Sequence, residues 1–258
     1  MMNKTTIAIT GLVVLFVIGA TQAKPQLKEQ SFDVKPGGTL YLRSDAGAIE
    51  VESHNKNVVE VDVETSGPNA DDFEVEFTQE GNDVRVTGDW DGSFFSQRMK
   101  ARFIIKVPKQ YNVDLKTGGG SIQLDDLQGS VDAHTSGGSI RLGRIEGDVE
   151  VDTSGGSIRV EEVAGNINAH TSGGSIRASI TKQPSHDCRL STSGGSVSVE
   201  LAESIAVDLD ARTSGGRVSS DFDVDGKIKR NRIRGTINGG GPDLDLETSG
   251  GSVSVYKI

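Results

Sequence analysis

Apolar and polar residues alternate on both sides of a short motif that recurs through the second half of the chain. The motif is Thr-Ser-Gly-Gly-Ser or a close variant, and it begins at residues 117, 135, 153, 171, 192, 213 and 248. Apolar residues stand four and two positions before each threonine, and five and usually seven positions after it. An alternation of period two is typical of a strand with one buried face. Each repeat therefore predicts two short strands that meet at the motif.

The repeats follow one another at steps of 18, 18, 18, 21, 21 and 35 residues. A period of this length without a helical pattern indicates a stacked array in which each repeat adds one structural unit. A single repeat is too small to bury its apolar residues, but stacking turns them into continuous ladders. We therefore predict an all-β fold, a parallel, right-handed β-solenoid of about 18-residue rungs with neighbouring strands about 4.8 Å apart. A compact antiparallel stack of hairpins remains the alternative.

Glycine is concentrated in the repeats, since 24 of the 33 glycines lie at or beyond residue 117. The chain must turn sharply at each corner, and we expect the glycine pairs to do so through positive φ, which glycine adopts at little cost. The scarcity of aromatic residues agrees with a narrow coil filled by Ile, Val, Leu and Ala.

Residues 24–116 also alternate but show no 18-residue period. Strands are expected near residues 39–43, 48–52, 58–64, 73–77, 83–87 and 102–107, with turn signals between them. This N-terminal all-β part is either a separate module or a less regular section of the same stack. The chain thus divides into residues 1–23, 24–116 and 117–258.

Residues 1–23 have the pattern of a secretory signal peptide. Lys4 precedes an apolar run over residues 7–20, and Thr21-Gln22-Ala23 places small residues before a cleavage site at Lys24. The run is shorter than the roughly 20 apolar residues of a membrane-spanning helix. We expect an exported protein, in the periplasm, at the cell surface or secreted, with no transmembrane span after cleavage.

The formal net charge of −10 argues against a nucleic-acid partner, which requires a basic surface. Cys188 is the single cysteine, so no internal disulfide can form. It stands in the apolar column between Ile167 and Leu209, and we expect a buried, unreactive thiol.

Three parts of the sequence carry a resemblance to a known family. The segment Phe-Ile-Ile-Lys-Val-Pro at 103–108, the alternation Val113-x-Leu115-x-Thr117 and the serial Thr-Ser-Gly-Gly-Ser-Ile motifs resemble the bacterial β-strand-repeat domains named "putative adhesin". The stretch 233–249 resembles the C-terminal end of that family. The resemblance covers roughly residues 40–258. It implies an exported or envelope-associated all-β solenoid of unknown function, with no catalytic residues to carry over.

Two sets of basic residues are candidate ligand-binding groups. On a parallel stack, one outward column is formed by Arg141, Arg159 and Arg177, which could bind an anionic glycan or lipopolysaccharide; a solvated face is the alternative. The insert 221–241 is the natural place for a binding loop, and the alternative is a solvated strand pair folded over the solenoid. Its basic residues are Lys227, Lys229, Arg230, Arg232 and Arg234.

A further outward column contains His134, Asp152 and His170, which are side chains that can ligate zinc. Because the neighbouring residues Lys116 and Ser191 do not continue the set, we favour a surface ladder and predict no metal site and no cofactor. A column of mainly acidic residues requires cationic neighbours or a ligand to offset the repulsion between stacked like charges. Its members are Asp114, Asp132, Glu150 and Asn168.

The sequence contains no nucleophile elbow, zinc-protease motif or phosphate loop, and its carboxylates repeat with the rung instead of gathering at one place. We predict a non-enzymatic, adhesin-like module that binds or scaffolds at the bacterial cell envelope, with a glycan or protein partner. A carbohydrate-active β-helix enzyme, a polysaccharide lyase or hydrolase, is the alternative. The chain ends on an expected strand at 253–258, whose free edge would permit self-association or the addition of a partner's strand.

Overall fold

A computed structural model describes residues 26–90 and 99–258, so the expected signal peptide lies outside the described residues. The N-terminal part consists of β1 (Gln26–Asp33), β2 (Thr39–Ser44), β3 (Ala48–His54), β4 (Val58–Ser66), a 3₁₀ turn (Ala70–Asp72), β5 (Phe73–Glu80), β6 (Asp83–Trp90) and β7 (Lys100–Pro108). In these two ranges, no helix has the length and apolar character needed to cross a membrane.

The repeats supply sixteen further strands. These are β8 (Asn112–Thr117), β9 (Ile122–Leu124), β10 (Val131–Thr135), β11 (Ile140–Ile145), β12 (Val149–Thr153), β13 (Ile158–Val163), β14 (Ile167–Thr171), β15 (Ile176–Ile180), β16 (Cys188–Thr192), β17 (Val197–Leu201), β18 (Val207–Thr213), β19 (Val218–Ser220), β20 (Asp225–Lys229), β21 (Arg232–Ile237), β22 (Asp243–Thr248) and β23 (Val253–Lys257).

Each rung contributes one strand to each of two sheets. The first sheet has eleven strands in the order β1-β4-β7-β3-β9-β11-β13-β15-β17-β23-β19. The second sheet has twelve strands in the order β20-β21-β18-β22-β16-β14-β12-β10-β8-β2-β6-β5. Apolar side chains from both sheets fill the space between them and form one continuous core.

The regular rungs pair in parallel and in the register expected from the sequence. Val131 of β10 lies opposite Val149 of β12, and Ile140 of β11 lies opposite Ile158 of β13. A shift by one residue would turn every apolar side chain to solvent, so the alternation itself determines the register. The predicted β-solenoid is confirmed, and the alternative of stacked antiparallel hairpins is wrong for the repeats.

The N-terminal part belongs to the same two sheets. β2 pairs in parallel with β8, and β3 pairs in parallel with β9, so β2 and β3 form a rung next to the first repeat. β6 and β7 form a further rung on the other side of β2 and β3. The antiparallel strands β1, β4 and β5 complete this end. Residue 117 therefore marks the start of the repeated motif, while both sheets continue across it.

The order of the last rungs differs from the order of the sequence. β22 lies between β16 and β18, and β23 lies between β17 and β19. The strands of the outermost rung, β18 and β19, therefore come earlier in the sequence than β22 and β23, which lie between that rung and the preceding ones. The expectation of a free edge on the last strand is wrong, because the backbone of β23 is hydrogen-bonded on both sides. Self-association through residues 253–258 loses its structural basis for the same reason.

The serine that ends each motif bonds to the next rung, and this role explains why one repeat has arginine at that position. Its hydroxyl oxygen accepts a hydrogen bond from the backbone N–H of the equivalent residue on the next rung, as in Ser157 N to Ser139 Oγ at 3.2 Å. Arg217 occupies this position on the rung of β18 and β19. Its N–H donates to Ser252 Oγ at 3.3 Å, but no further rung of this kind follows it. The serine is absent where the described stack ends.

The motif threonines tie neighbouring rungs together from inside the corner. Thr153 is fully buried, and its hydroxyl donates to the carbonyl of Gly138 at 2.7 Å. The same oxygen accepts the N–H of Gly156 at 3.4 Å. Thr135 and Thr171 make the equivalent bonds. Each corner therefore satisfies its buried polar groups through one hydroxyl.

The glycine pairs serve close stacking and not the positive φ that we expected. Within the repeat corners from residue 117 onward, only Gly120 adopts a positive φ, at 125°. At the second glycine of each pair, a Cβ would overlap the backbone of the preceding rung, as Gly138 would overlap Gly120. Glycine is required there because the corners stack backbone on backbone.

Candidate ligand-binding surfaces

The three arginines of the predicted column lie on the outer face of the first sheet. Arg141 of β11 is in register with Arg159 of β13, which is in register with Arg177 of β15. We call this set the arginine row. All three side chains are exposed, and none makes an ion pair with a residue that the structure describes. Adjacent strands are about 4.8 Å apart, so the row presents three unneutralised charges at that spacing.

Six other outward arginines of the described solenoid are neutralised by carboxylates. The shortest distances from their guanidinium nitrogens to carboxylate oxygens range from 2.6 to 3.6 Å. These pairs are Arg43–Asp114, Arg102–Glu50, Arg144–Glu162, Arg189–Glu247, Arg212–Glu247 and Arg232–Asp210. The arginine row thus differs from its surroundings by lacking such partners, although like charges in adjacent strands repel one another.

A row of serines extends the arginine row toward the C-terminal end of the sheet. Arg177 is in register with Ser198, Ser198 with Ser254, and Ser254 with Ser219. The sequence prediction named only the arginines of this column, although the repeat spacing also places Ser198, Ser219 and Ser254 in it. The six residues form a line without a carboxylate, in which guanidinium groups are followed by hydroxyl groups.

A shallow groove runs beside the arginine row where Gly143 leaves space between longer side chains. Its other wall contains Asp125, Asp126 and Glu161. Burial raises the pKa of Asp125, and the neighbouring carboxylates Glu52, Asp126 and Glu161 raise it further. None of the three carboxylates of this wall makes an ion pair with the arginine row, whereas Asp126 lies 3.8 Å from Arg144.

The basic insert forms an antiparallel hairpin from β20 and β21, which matches the strand pair that we kept as the alternative to a loop. Arg232 binds Asp210 at 2.6 Å, and Arg234 lies 4.0 Å from the same carboxylate. Lys227, Lys229 and Arg230 are exposed and have no ion pair with a described residue. The structure therefore divides the five basic residues into a pair held by Asp210 and three that remain free.

The turn of this hairpin crosses the edge of the first sheet. The N–H of Val218 in β19 donates to the carbonyl of Arg230 at 2.9 Å, and the N–H of Thr213 donates to Asn231 at 3.0 Å. The hairpin thus covers the short strand β19 and leaves β20 as the edge of the second sheet.

The column of His134, Asp152 and His170 is in register but does not converge. His134 Nδ1 lies 3.2 Å from Asp152, whereas His170 Nδ1 contacts the Ser191 hydroxyl at 2.9 Å. Among residues 26–90 and 99–258, no group of three or more His, Cys, Asp or Glu side chains is arranged to hold a metal ion.

The acidic column is partly neutralised from adjacent strands, as its repulsion requires. Arg43 makes two hydrogen bonds of 2.7 Å to Asp114, and these lower the pKa of that carboxyl. Lys116 lies 3.7 Å from Asp114 and 3.9 Å from Asp132. Glu150 makes no ion pair within the described chain. The column is therefore a surface ladder in which Asp114 and Asp132 have cationic partners.

The burial expected for Cys188 is confirmed, with 2 % of its surface exposed. Burial raises the pKa of its thiol, so the thiolate is disfavoured. Its sulfur accepts the N–H of Ile167 at 3.4 Å. Its neighbour on the other side is Leu244 and not Leu209, because β22 is inserted next to β16.

The model of the family described as Toastrack DUF4097 matches residues 112–256, which run from β8 to β23 and make up more than half of the chain. The match confirms the resemblance to β-strand-repeat domains of unknown function. No curated protein matches the chain in sequence.

Several solved structures are similar over most of their length. A putative cell adhesion protein from Clostridium sporogenes is 14 % identical with a TM-score of 0.40, covering 90 % of this chain and 100 % of its own. A putative adhesin from Bacteroides fragilis is 13 % identical with a TM-score of 0.41, covering 92 % and 99 %. A putative adhesin from Parabacteroides distasonis is 11 % identical with a TM-score of 0.35, covering 90 % and 97 %.

Proposed function

The chain belongs to the Toastrack DUF4097 family, and from that premise we propose that it is an exported, non-enzymatic binding module of the bacterial cell envelope. Its ligand is an anionic polymer, either a glycan or the polysaccharide of lipopolysaccharide, and it lies along the arginine row. The observation that supports this proposal is the set of three exposed arginines in register without carboxylate partners, on a solenoid whose other outward arginines are largely paired.

A repeated surface suits a repeated ligand. Three guanidinium groups about 4.8 Å apart can contact successive anionic groups of an extended chain. Further along the line, the Ser254 hydroxyl accepts a hydrogen bond from Ser219 and keeps its own proton to donate to a sugar oxygen. A line of equivalent contacts binds a polymer without gathering reactive groups at one point, which is why we propose binding and not catalysis.

We expect the triple variant Arg141→Ala/Arg159→Ala/Arg177→Ala to bind polygalacturonate or purified lipopolysaccharide about tenfold more weakly than the parent, because exposed ion pairs contribute roughly 0.2–1 kcal/mol each. Isothermal titration in 0.1 M salt measures this. Binding should weaken further in 1 M salt, where the screening length falls to about 3 Å.

The matched control removes three paired arginines from the same solenoid, as Arg102→Ala/Arg144→Ala/Arg189→Ala. It has the same net charge as the first triple variant and should retain parental affinity. Equal losses in both variants would reduce the interaction to net charge and contradict a specific row. Turnover of a polysaccharide that disappears on changing one carboxylate would refute the non-enzymatic part of the proposal.

Export is tested separately by the N-terminus of the mature protein. We expect the chain recovered from the periplasm or the medium of a bacterial host to begin at Lys24, because the segment 21–23 has the small residues that signal peptidase requires. N-terminal sequencing of the fractionated protein measures this. Recovery of the uncleaved chain in the cytoplasmic fraction would contradict export.

A further inference from the structure

The second sheet ends in an unpaired strand at each extremity. Among the strands of residues 26–90 and 99–258, β20 pairs only with β21, and β5 pairs only with β6. All five residues of β20 are exposed. The outer N–H and C=O groups of such strands are available to the backbone of another chain, and natural proteins usually block these edges. The first sheet ends in β1 and β19, and the hairpin turn makes one backbone hydrogen bond to β19, from Val218 N–H to the Arg230 carbonyl.

The two free edges carry opposite charges on the same face. Lys227, Lys229 and, at the start of the strand, Asp225 lie on the outer face of β20, and the two lysines are in register with Arg234 and Arg232 of β21. On β5, Phe73 and Val75 point into the core, so the alternating glutamates point outward. These glutamates are Glu74, Glu76 and Glu80. Neither the two lysines nor the three glutamates make an ion pair within the described chain.

The inner face of β20 presents an apolar side chain without a neighbour. Ile228 continues the core column of Leu246, Ala211 and Ile233, yet 66 % of its surface is exposed. At the other extremity, Phe77 of β5 lies on the inner face and packs against the core while remaining partly exposed. A strand added to β5 would contact charged side chains on the outer face of the sheet and an apolar surface on its inner face.

We propose that copies of this protein associate head to tail, with β20 of one copy added to β5 of the next. β21 is antiparallel to the rung strand β18, and β20 is antiparallel to β21, so β20 runs in the same direction as the rung strands. β5 is antiparallel to the rung strand β6 and therefore runs in the opposite direction. A second copy related by translation along the solenoid therefore forms an antiparallel pair. The lysines then face the glutamates, and Ile228 lies over the inner face of β5.

The association is open-ended because the two contact surfaces are different. A contact between unlike surfaces that does not close into a ring generates chains, whereas a two-fold dimer uses the same surface twice. A row of ligand-binding residues on each copy would be repeated along such a chain, but the association does not depend on the arginine row.

Sedimentation velocity of the purified protein tests this across protein concentrations at low salt. We expect the average mass to grow with concentration beyond a dimer, and to fall as salt screens the charge pairs. The variants Lys227→Glu/Lys229→Glu and Glu74→Lys/Glu76→Lys should each weaken association at least tenfold, because each places like charges at both edges. Ile228→Ser should also weaken it.

An equimolar mixture of the two charge-reversed variants should associate again, because each supplies the edge that the other lacks. The control Lys109→Glu/Lys182→Glu reverses the same number of charges away from both edges and should behave as the parent. A parent protein that stays monomeric at every concentration, a closed dimer, or a mixture that fails to associate would overturn the proposal.

Discussion

Replacing Gly138 with alanine should destabilise the protein by about 3 kcal/mol or more, at the upper end of the effect of overpacking a core. The added Cβ would overlap the carbonyl of Gly120 and the N–H of Ser121 on the preceding rung. Backbone cannot move aside as a flexible side chain can, so relief requires the two rungs to separate. Thermal and urea unfolding, followed by circular dichroism, measure the loss.

The neighbouring glycine provides the control. No atom of the described residues lies within 4 Å of the position that a Cβ would occupy on Gly137, and Gly137 does not have a positive φ. Gly137→Ala should therefore be neutral or should stabilise by about 0.4–1 kcal/mol through the lower entropy of the unfolded chain. Equal effects at the two positions would show that composition, and not stacking, accounts for the glycine pair.

The sequence was sufficient to predict the inward columns of the regular rungs. The strand period, the motif spacing and the burial of one face all indicate the same register. Because these signals agree, the register can be predicted from the sequence. Val131, Val149 and Ile167 are buried as expected. The hydrogen bonds of the motif threonines to backbone also agree with the sequence, because a buried threonine at a corner needs a backbone partner.

The order of the last rungs was not predictable from the repeat, because every repeat carries the same pattern and any two can stack. Two departures were nevertheless visible. Arg217 replaces the final serine of its motif, and Ser220 replaces the second apolar residue after it. Both mark the rung of β18 and β19 as the end of the regular parallel stack. The 35-residue step then supplies the hairpin and the return of the chain.

Which outward charges are paired could not be predicted either. Arg141 and Arg144 both stand on β11 of a regular repeat, but Arg144 binds Glu162 on the next rung at 2.9 Å, whereas Arg141 lies between Gln123 and Arg159. Pairing depends on the neighbouring columns and on the path of each long side chain. The free arginine row is therefore a finding of the three-dimensional structure.

Leu246→Ala should cost about 2–5 kcal/mol, the range for a fully buried leucine. Leu246 is completely buried between Leu190 of β16 and Ala211 of β18, because its rung lies inside the stack. A rung at the end of the solenoid would leave this side chain with a neighbour on one side only. Equilibrium unfolding in urea gives the change in free energy and tests the inserted order directly.

Tyr256→Ala, on the other strand of the same rung, is the matched control. Tyr256 is 42 % exposed on the outer face of β23, so its truncation should change stability by less than about 1 kcal/mol. If Leu246→Ala cost no more than Tyr256→Ala, the rung of β22 and β23 would not lie between its two neighbours. A large difference instead means that the last segment of the chain joins the outer rung to the rest of the solenoid.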